Sequence, residues 1–199
     1  MKKTPSLIIV LVSTLGLLST IIARTMGVTD PLNNAVSTFK YFTVQSNLIV
    51  VFYFWILFSL NPNNKKFDNA IGAVVLYITV TFIVFALFLE PTWAPKGIEL
   101  VGSIINHYIT PILAISFLIY FKSDYSFKFK TIPFWLVYPL IYLIYVIIHG
   151  SLTSNYLYPF FEIDEIGISR FILNSAALLV LFGFLSCGFV FIFKKRVRE

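Results

Sequence analysis

Residues 39–60 read FKYFTVQSNLIVVFYFWILFSL, and from Tyr41 to Leu60 no side chain is charged. About 20 apolar residues in a row is the length of helix that crosses a bilayer. In lipid the backbone must satisfy its own hydrogen bonds, so an isolated run of this kind is a helix and not a strand. Working outward, five more runs of the same character are found at Ser6–Ala23, Asn69–Leu89, Val101–Phe121, Ile132–Gly150 and Arg170–Phe193, with Phe39–Leu60 the second of six. Polar breakers separate them: Asp30-Pro31-Leu32-Asn33-Asn34, Asn61-Pro62-Asn63-Asn64-Lys65-Lys66, and Glu90-Pro91 through Pro95-Lys96-Gly97. The expected fold is an all-α, polytopic membrane protein, a six-transmembrane-helix bundle forming a single domain over residues 1–199.

Composition agrees. Hydrophobic residues make up 58% of the chain, charged residues 12%, and the mean hydropathy is +0.87. A soluble fold has no interior large enough for that much apolar surface, and six spans leave no room for a separate soluble domain. Cys187 is the only cysteine, which excludes an intramolecular disulfide and a thiolate metal cluster. The net charge of +6 sits in short loops, so it reads as membrane topology and not as a nucleic-acid footprint.

Lys and Arg sort unequally between the two sides. Eleven fall on one side (Lys2, Lys3, Lys65, Lys66, Lys122, Lys128, Lys130, Lys194, Lys195, Arg196 and Arg198) and four on the other (Arg24, Lys40, Lys96 and Arg170). The positive-inside rule makes the first side cytoplasmic, with both termini on it. The expected location is the cell (cytoplasmic) membrane, multi-pass. The loop between the last two spans carries Glu162, Asp164 and Glu165 and faces outward. Lys2-Lys3 ahead of an apolar run also describes a signal peptide, but a small-x-small cleavage site is poorly matched around Ile22-Ala23-Arg24.

Polar side chains inside a bilayer are costly and mark candidate functional positions. In the second span Thr43, Ser46 and Asn47 lie at i, i+3 and i+4, one helical face. In the fourth, Ser103, Asn106, His107 and Thr110 lie at i, i+3, i+4 and i+7, again one face. In the fifth, Tyr138, Tyr142, Tyr145 and His149 form a stripe. The charge-derived topology places both histidines and the polar face of the second span in the outer half of the membrane. A shared outward-facing polar pocket is therefore expected, with Ser46, Thr110, Tyr142, Tyr145, His149, Tyr158 and Glu162 as further lining candidates.

A threonine hydroxyl becomes a nucleophile when a base takes its proton, and neutral histidine is the usual base near pH 7. Thr43 and His107 are the expected pair, with Asn47, Asn106 or Tyr108 binding the oxyanion or orienting the pair. The plainer reading is that hydroxyls in spans bond backbone carbonyls and glue helices together. Two histidines with Glu162, Asp164 or Glu90 offer three zinc ligands in principle, but no HxxxH or HxxE spacing supports a metal site. No glycine-rich phosphate loop is present. The expectation is no metal and no cofactor, a lipid or fatty-acyl ester as substrate, membrane lipids as surroundings and no nucleic-acid partner; the oligomeric state is not legible.

Three strings in order along the six spans, Tyr41-Phe42-Thr43-Val44-Gln45-Ser46-Asn47-Leu48, Asn106-His107-Tyr108-Ile109-Thr110-Pro111 and Tyr158-Pro159-Phe160-Phe161-Glu162-Ile163-Asp164, resemble the bacterial Pr6Pr family of membrane proteins. That family is similar to the androgen-induced, FAR-17a-like membrane proteins of animals. The resemblance covers nearly the whole chain. It implies an intramembrane threonine hydrolase acting on fatty acid esters of hydroxy fatty acids, with Thr43 in the place of the threonine and His107 in that of the histidine. Tyr158-Pro159-Phe160 matches a Tyr-Pro-Phe-Leu-Glu string, with Phe161 in place of leucine. Phe117 stands where the animal proteins carry an acidic residue, and the histidine-to-proline spacing is one residue shorter, so the substrate is the least portable part of the likeness. A lipid-binding or transport protein using the same polar residues is the alternative.

Overall fold

The computed structural model describes residues 2–62 and 64–194. Lys195, Arg196 and Arg198 of the charge count lie outside the described residues. Six helical segments are long and apolar enough to cross a membrane: Lys3–Thr25, Phe42–Leu60, Lys65–Thr92, Ile98–Tyr120, Phe129–Thr153 and Ile163–Phe193. Among the described residues there is no strand. The chain is an all-α polytopic membrane protein.

Where the span limits depart from the sequence expectation, local chemistry accounts for the difference. Helix α1 covers Lys3–Thr25. The Asp30-Pro31 breaker opens a short helix, α2, Pro31–Thr38: Asp30 accepts the Asn33 N–H at 3.1 Å and Pro31 occupies a first-turn position that needs no N–H. That capping removes residues 39–41 from the second span, and α3 runs Phe42–Leu60. Helix α4, Lys65–Val84, begins four residues early because the Asn64 side chain accepts the Lys66 N–H at 2.8 Å. Helix α5 is Ile98–Ile104, α6 Thr110–Tyr120 and α7 Ile132–Thr153. Helix α8, Ile163–Phe193, begins seven residues before the expected Arg170. Its first turn contains Asp164 and Glu165, where the helix dipole favours acids. The acidic stretch is thus largely a helix start and not a loop. Gly167, at φ 76° and ψ 158°, breaks the helix there in a conformation that a side chain would resist.

By its internal contacts the chain divides into two compact units, Met1–Tyr125 and Ser126–Glu199. In the first unit α1 lies against α3 and α5, and α4 against α3 and α6. Val50, Phe54, Ile71 and Leu118 are buried in its core, and Phe54 meets Phe117 edge-on at 4.9 Å. Contact between α1 and α5 is backbone-close. A Cβ on Gly102 would sit 2.7 Å from the Thr20 hydroxyl, and one on Gly16 only 2.4 Å from Asn106 Oδ1. Small residues at such positions let transmembrane helices approach and exchange polar contacts.

One end of this unit is joined by Lys2, whose ammonium lies 3.1 Å from Asp124 and 4.4 Å from the Tyr125 ring centre. Burial works against the Lys2 charge, but Tyr125 and Asp124 outweigh it and hold the ammonium above its ordinary value. Burial likewise raises the Tyr125 phenol, against the pull of Lys2. The second unit holds α7 and α8, linked through a 3-10 turn at Pro159–Phe161. There Gly150 packs directly beneath the Tyr156 ring, and Phe127 meets Trp135 edge-on at 5.0 Å.

Candidate functional site

The fourth span is not a uniform α-helix. Between α5 and α6 the backbone takes one wide turn, a π turn at Ile105–Ile109, in which the Thr110 N–H reaches Ile105 and not Asn106. The next residue, Pro111, has no N–H to offer. The Asn106 carbonyl is thereby stripped of its ladder donor in a buried position. Asn47 from α3 supplies one: its Nδ2 donates to the Asn106 carbonyl at 3.1 Å and to the Thr43 carbonyl at 2.8 Å. A single amide group therefore bridges the peptide of Thr43 and the turn that carries His107. Helices distorted by a π turn often do so at functional positions.

His107 is buried, with 6% exposure. Its Nδ1 lies 2.9 Å from the Ser103 carbonyl and 3.3 Å from the Ser103 hydroxyl. A carbonyl only accepts, so Nδ1 carries the hydrogen and the neutral ring presents its lone pair at Nε2. The ring plane is held by Phe85, stacked at 3.6 Å between centres and 9° between planes, with Trp93 edge-on at 6.3 Å. Nitrogen identity and ring orientation are thus both specified by neighbours, as a base requires.

Phe85 itself opens a second π turn, Phe85–Leu89, that continues α4. The two turns share a pattern. Phe85 stands six residues before Pro91 and Ile105 six before Pro111, and in each the N–H that follows the turn reaches back to the turn's first residue. Phe85 and Trp93 were not anticipated from sequence, because nothing in an apolar run marks one phenylalanine as a stacking partner. The repeated proline was the available signal.

The remaining candidates fall into place by their bonds. Asn106 donates to the Gly16 carbonyl at 3.1 Å and to the Thr20 hydroxyl at 2.9 Å. With both hydrogens of each Nδ2 so engaged, Asn47 and Asn106 fit the orienting role and not that of oxyanion donor. Tyr108 donates its hydroxyl hydrogen to Glu90, across an edge-on contact with Phe85 at 5.8 Å. Asn106 and His107, expected on one face, meet different neighbours, since consecutive residues point about 100° apart on a helix: Asn106 meets α1 and His107 meets Phe85. Thr43 is half-buried in the first turn of α3. Ser46 is fully buried, 2.9 Å from the Thr81 hydroxyl and 3.1 Å from the Thr43 carbonyl, which makes it a tie between α3 and α4. Thr110 is fully buried.

Tyr142, Tyr145, His149, Tyr158 and Glu162 belong to the second unit. His149 Nδ1 donates to the Asn155 carbonyl at 2.8 Å, beside the Thr153 hydroxyl at 3.2 Å, and the Tyr145 ring lies 5.7 Å away. Tyr142 is buried, 5.9 Å from Tyr145. Tyr158 stacks on Phe160 at 5.2 Å, and Glu162 accepts the Tyr156 N–H at 3.4 Å. His149 so placed fixes the end of α7 against the following loop.

No family model matches the chain, and no curated protein or solved structure is detectably similar to it.

The Asn47 bridge makes a direct prediction. Asn47→Leu keeps the branching at Cγ and deletes the donor, leaving the buried Asn106 carbonyl unpaired at a cost of about 2 kcal/mol, to which the bulkier methyl groups add. The thermal unfolding midpoint of the detergent-purified variant is expected to fall by several degrees; an unchanged midpoint would refute the bridge.

Proposed function

We propose that this chain is an intramembrane lipid-ester hydrolase of the cell membrane, of the Pr6Pr and FAR-17a-like kind, acting on a fatty-acyl ester of a hydroxy fatty acid. The observation that carries the reading is the preset imidazole: Nδ1–H is committed to the Ser103 carbonyl, Phe85 fixes the ring plane, and Asn47 bridges its turn to the peptide of Thr43. His107 Nε2 takes the proton of the Thr43 hydroxyl as the oxygen attacks the ester carbonyl. The tetrahedral oxyanion collapses, the C–O bond to the alcohol breaks, and the imidazolium returns its proton to the departing alkoxide. Water then repeats the sequence on the acyl-threonine and releases the acid. The Val44 and Gln45 amides donate to the Tyr41 carbonyl, so in this turn the oxyanion donor falls to the N–H of Thr43 itself.

A non-enzymatic lipid-binding or transport role is the second reading. It is favoured by the two π turns in adjacent spans, since interrupted helices at membrane depth are the usual construction of transport sites.

The deciding experiment treats the purified protein with a fluorophosphonate probe and maps the adduct by peptide mass spectrometry. The expected result is labelling at Thr43 that disappears in Thr43→Ala and drops at least tenfold in His107→Ala. Labelling elsewhere, or none together with undiminished lipid binding, would favour the second reading.

A further inference from the structure

We propose that the first unit binds an internal water molecule between α1, α3 and the Ile105–Ile109 turn, held by Asn47 Oδ1, Asn106 Oδ1, Ser13 Oγ and Thr110 Oγ1. These four oxygens are buried and have no hydrogen-bond partner among the described residues. Their residues are 0–1% exposed. Which amide atom is left over is settled by the partners of the other: Asn47 Nδ2 faces two carbonyls and Asn106 Nδ2 faces the Gly16 carbonyl, so neither amide can be turned round without setting oxygen against oxygen.

The four residues are linked through the packing of the unit. Asn106 Oδ1 lies 2.4 Å from the Cβ position of Gly16, and Ser13 is one turn before Gly16 on the same helix. Thr110 is one turn beyond Asn106, and Asn47 is bonded to the Asn106 carbonyl. Buried polar atoms in native proteins are almost always paired, commonly by a water that makes two to four bonds.

The hydrogen count matches one water. Two amide oxygens can only accept, and two hydroxyls can donate; a water molecule donates two hydrogens and accepts two. A sodium ion would also find four oxygens, but no Asp or Glu is among these residues to offset its charge at membrane depth. The site shares Asn47 and Asn106 with the hydrolase reading but uses neither Thr43 nor His107, so a failure of the fluorophosphonate test leaves it standing.

The test is a high-resolution structure of the full-length protein together with two hydroxyl deletions. The expected density is a single peak within about 2.6–3.2 Å of both Asn47 Oδ1 and Asn106 Oδ1. Thr110→Val and Ser13→Ala are each expected to lower the unfolding midpoint by several degrees, since each removes a bond to the water. No peak at that place overturns the proposal. So does a midpoint that stays or rises in both variants, which is the outcome when a dry, unpaired hydroxyl is removed. A midpoint that rises in sodium relative to choline at equal ionic strength would replace the water with a cation and equally overturn it.

Discussion

Under the proposed hydrolase mechanism, replacing His107 with glutamine is expected to lower kcat/KM for a fluorogenic acyl ester by about a thousandfold, the usual contribution of a general base acting with its nucleophile. The reasoning starts from Nε2. With Nδ1–H held by the Ser103 carbonyl, the imidazole has one orientation and one lone pair to offer, and glutamine has no basic nitrogen. Thr43→Ala should fall by a similar factor. The double variant should fall no further, because base and nucleophile act as a unit and their losses do not add. Phe85→Leu leaves the base in place but frees its plane, and a loss of about tenfold in kcat with KM little changed is expected. Losses that add in the double variant, or turnover surviving in both singles, would remove the pair from the mechanism.

The largest structural effect is expected at Gly16. Its Cβ position lies 2.4 Å from Asn106 Oδ1 and 2.6 Å from Ile105 Cγ2, both well inside van der Waals contact. Ile105 and Asn106 begin the π turn, and Asn106 is tied to Gly16 and Thr20 by two hydrogen bonds, so the added methyl group has no flexible side-chain end to displace. In Gly16→Ala the α1 backbone must move away and both bonds are lost. Overpacking and unpaired polar groups together cost about 3 kcal/mol, well above the ~1 kcal/mol that alanine gains over glycine as a helix former. Gly188, with nothing within 4 Å of its Cβ position, is the control: Gly188→Ala should unfold at the same temperature or slightly higher. Scanning fluorimetry in detergent measures both. Equal stability of the two variants would mean that α1 and the π turn are not in contact as described.

The spans were legible because hydrophobic length is a one-dimensional property. Phe42–Leu60 is apolar over enough residues to cross a bilayer whatever it packs against. The Ser103–His107 bond was foreshadowed by i, i+4 spacing, and it forms. Helix α2 was written in Asp30 and Pro31, but the same residues also end helices, and only the cap on Asn33 decides between the two readings. Spacing failed at Asn106 and His107. Consecutive residues stand about 100° apart on a helix, so a face wide enough to hold both also reaches two different neighbours, α1 and Phe85.

By itself, then, the order of residues determined an all-α chain with six membrane-length helices, since each span answers to lipid through its own composition. It also marked Thr43, Asn47, Asn106 and His107 as polar groups out of place in hydrocarbon. Which carbonyl Asn47 caps, which nitrogen of His107 is bonded to Ser103 and which phenylalanine holds its ring were decided only by tertiary structure. The first and last of those are distances between helices, and each depends on two π turns and on how closely Gly16 lets α1 approach.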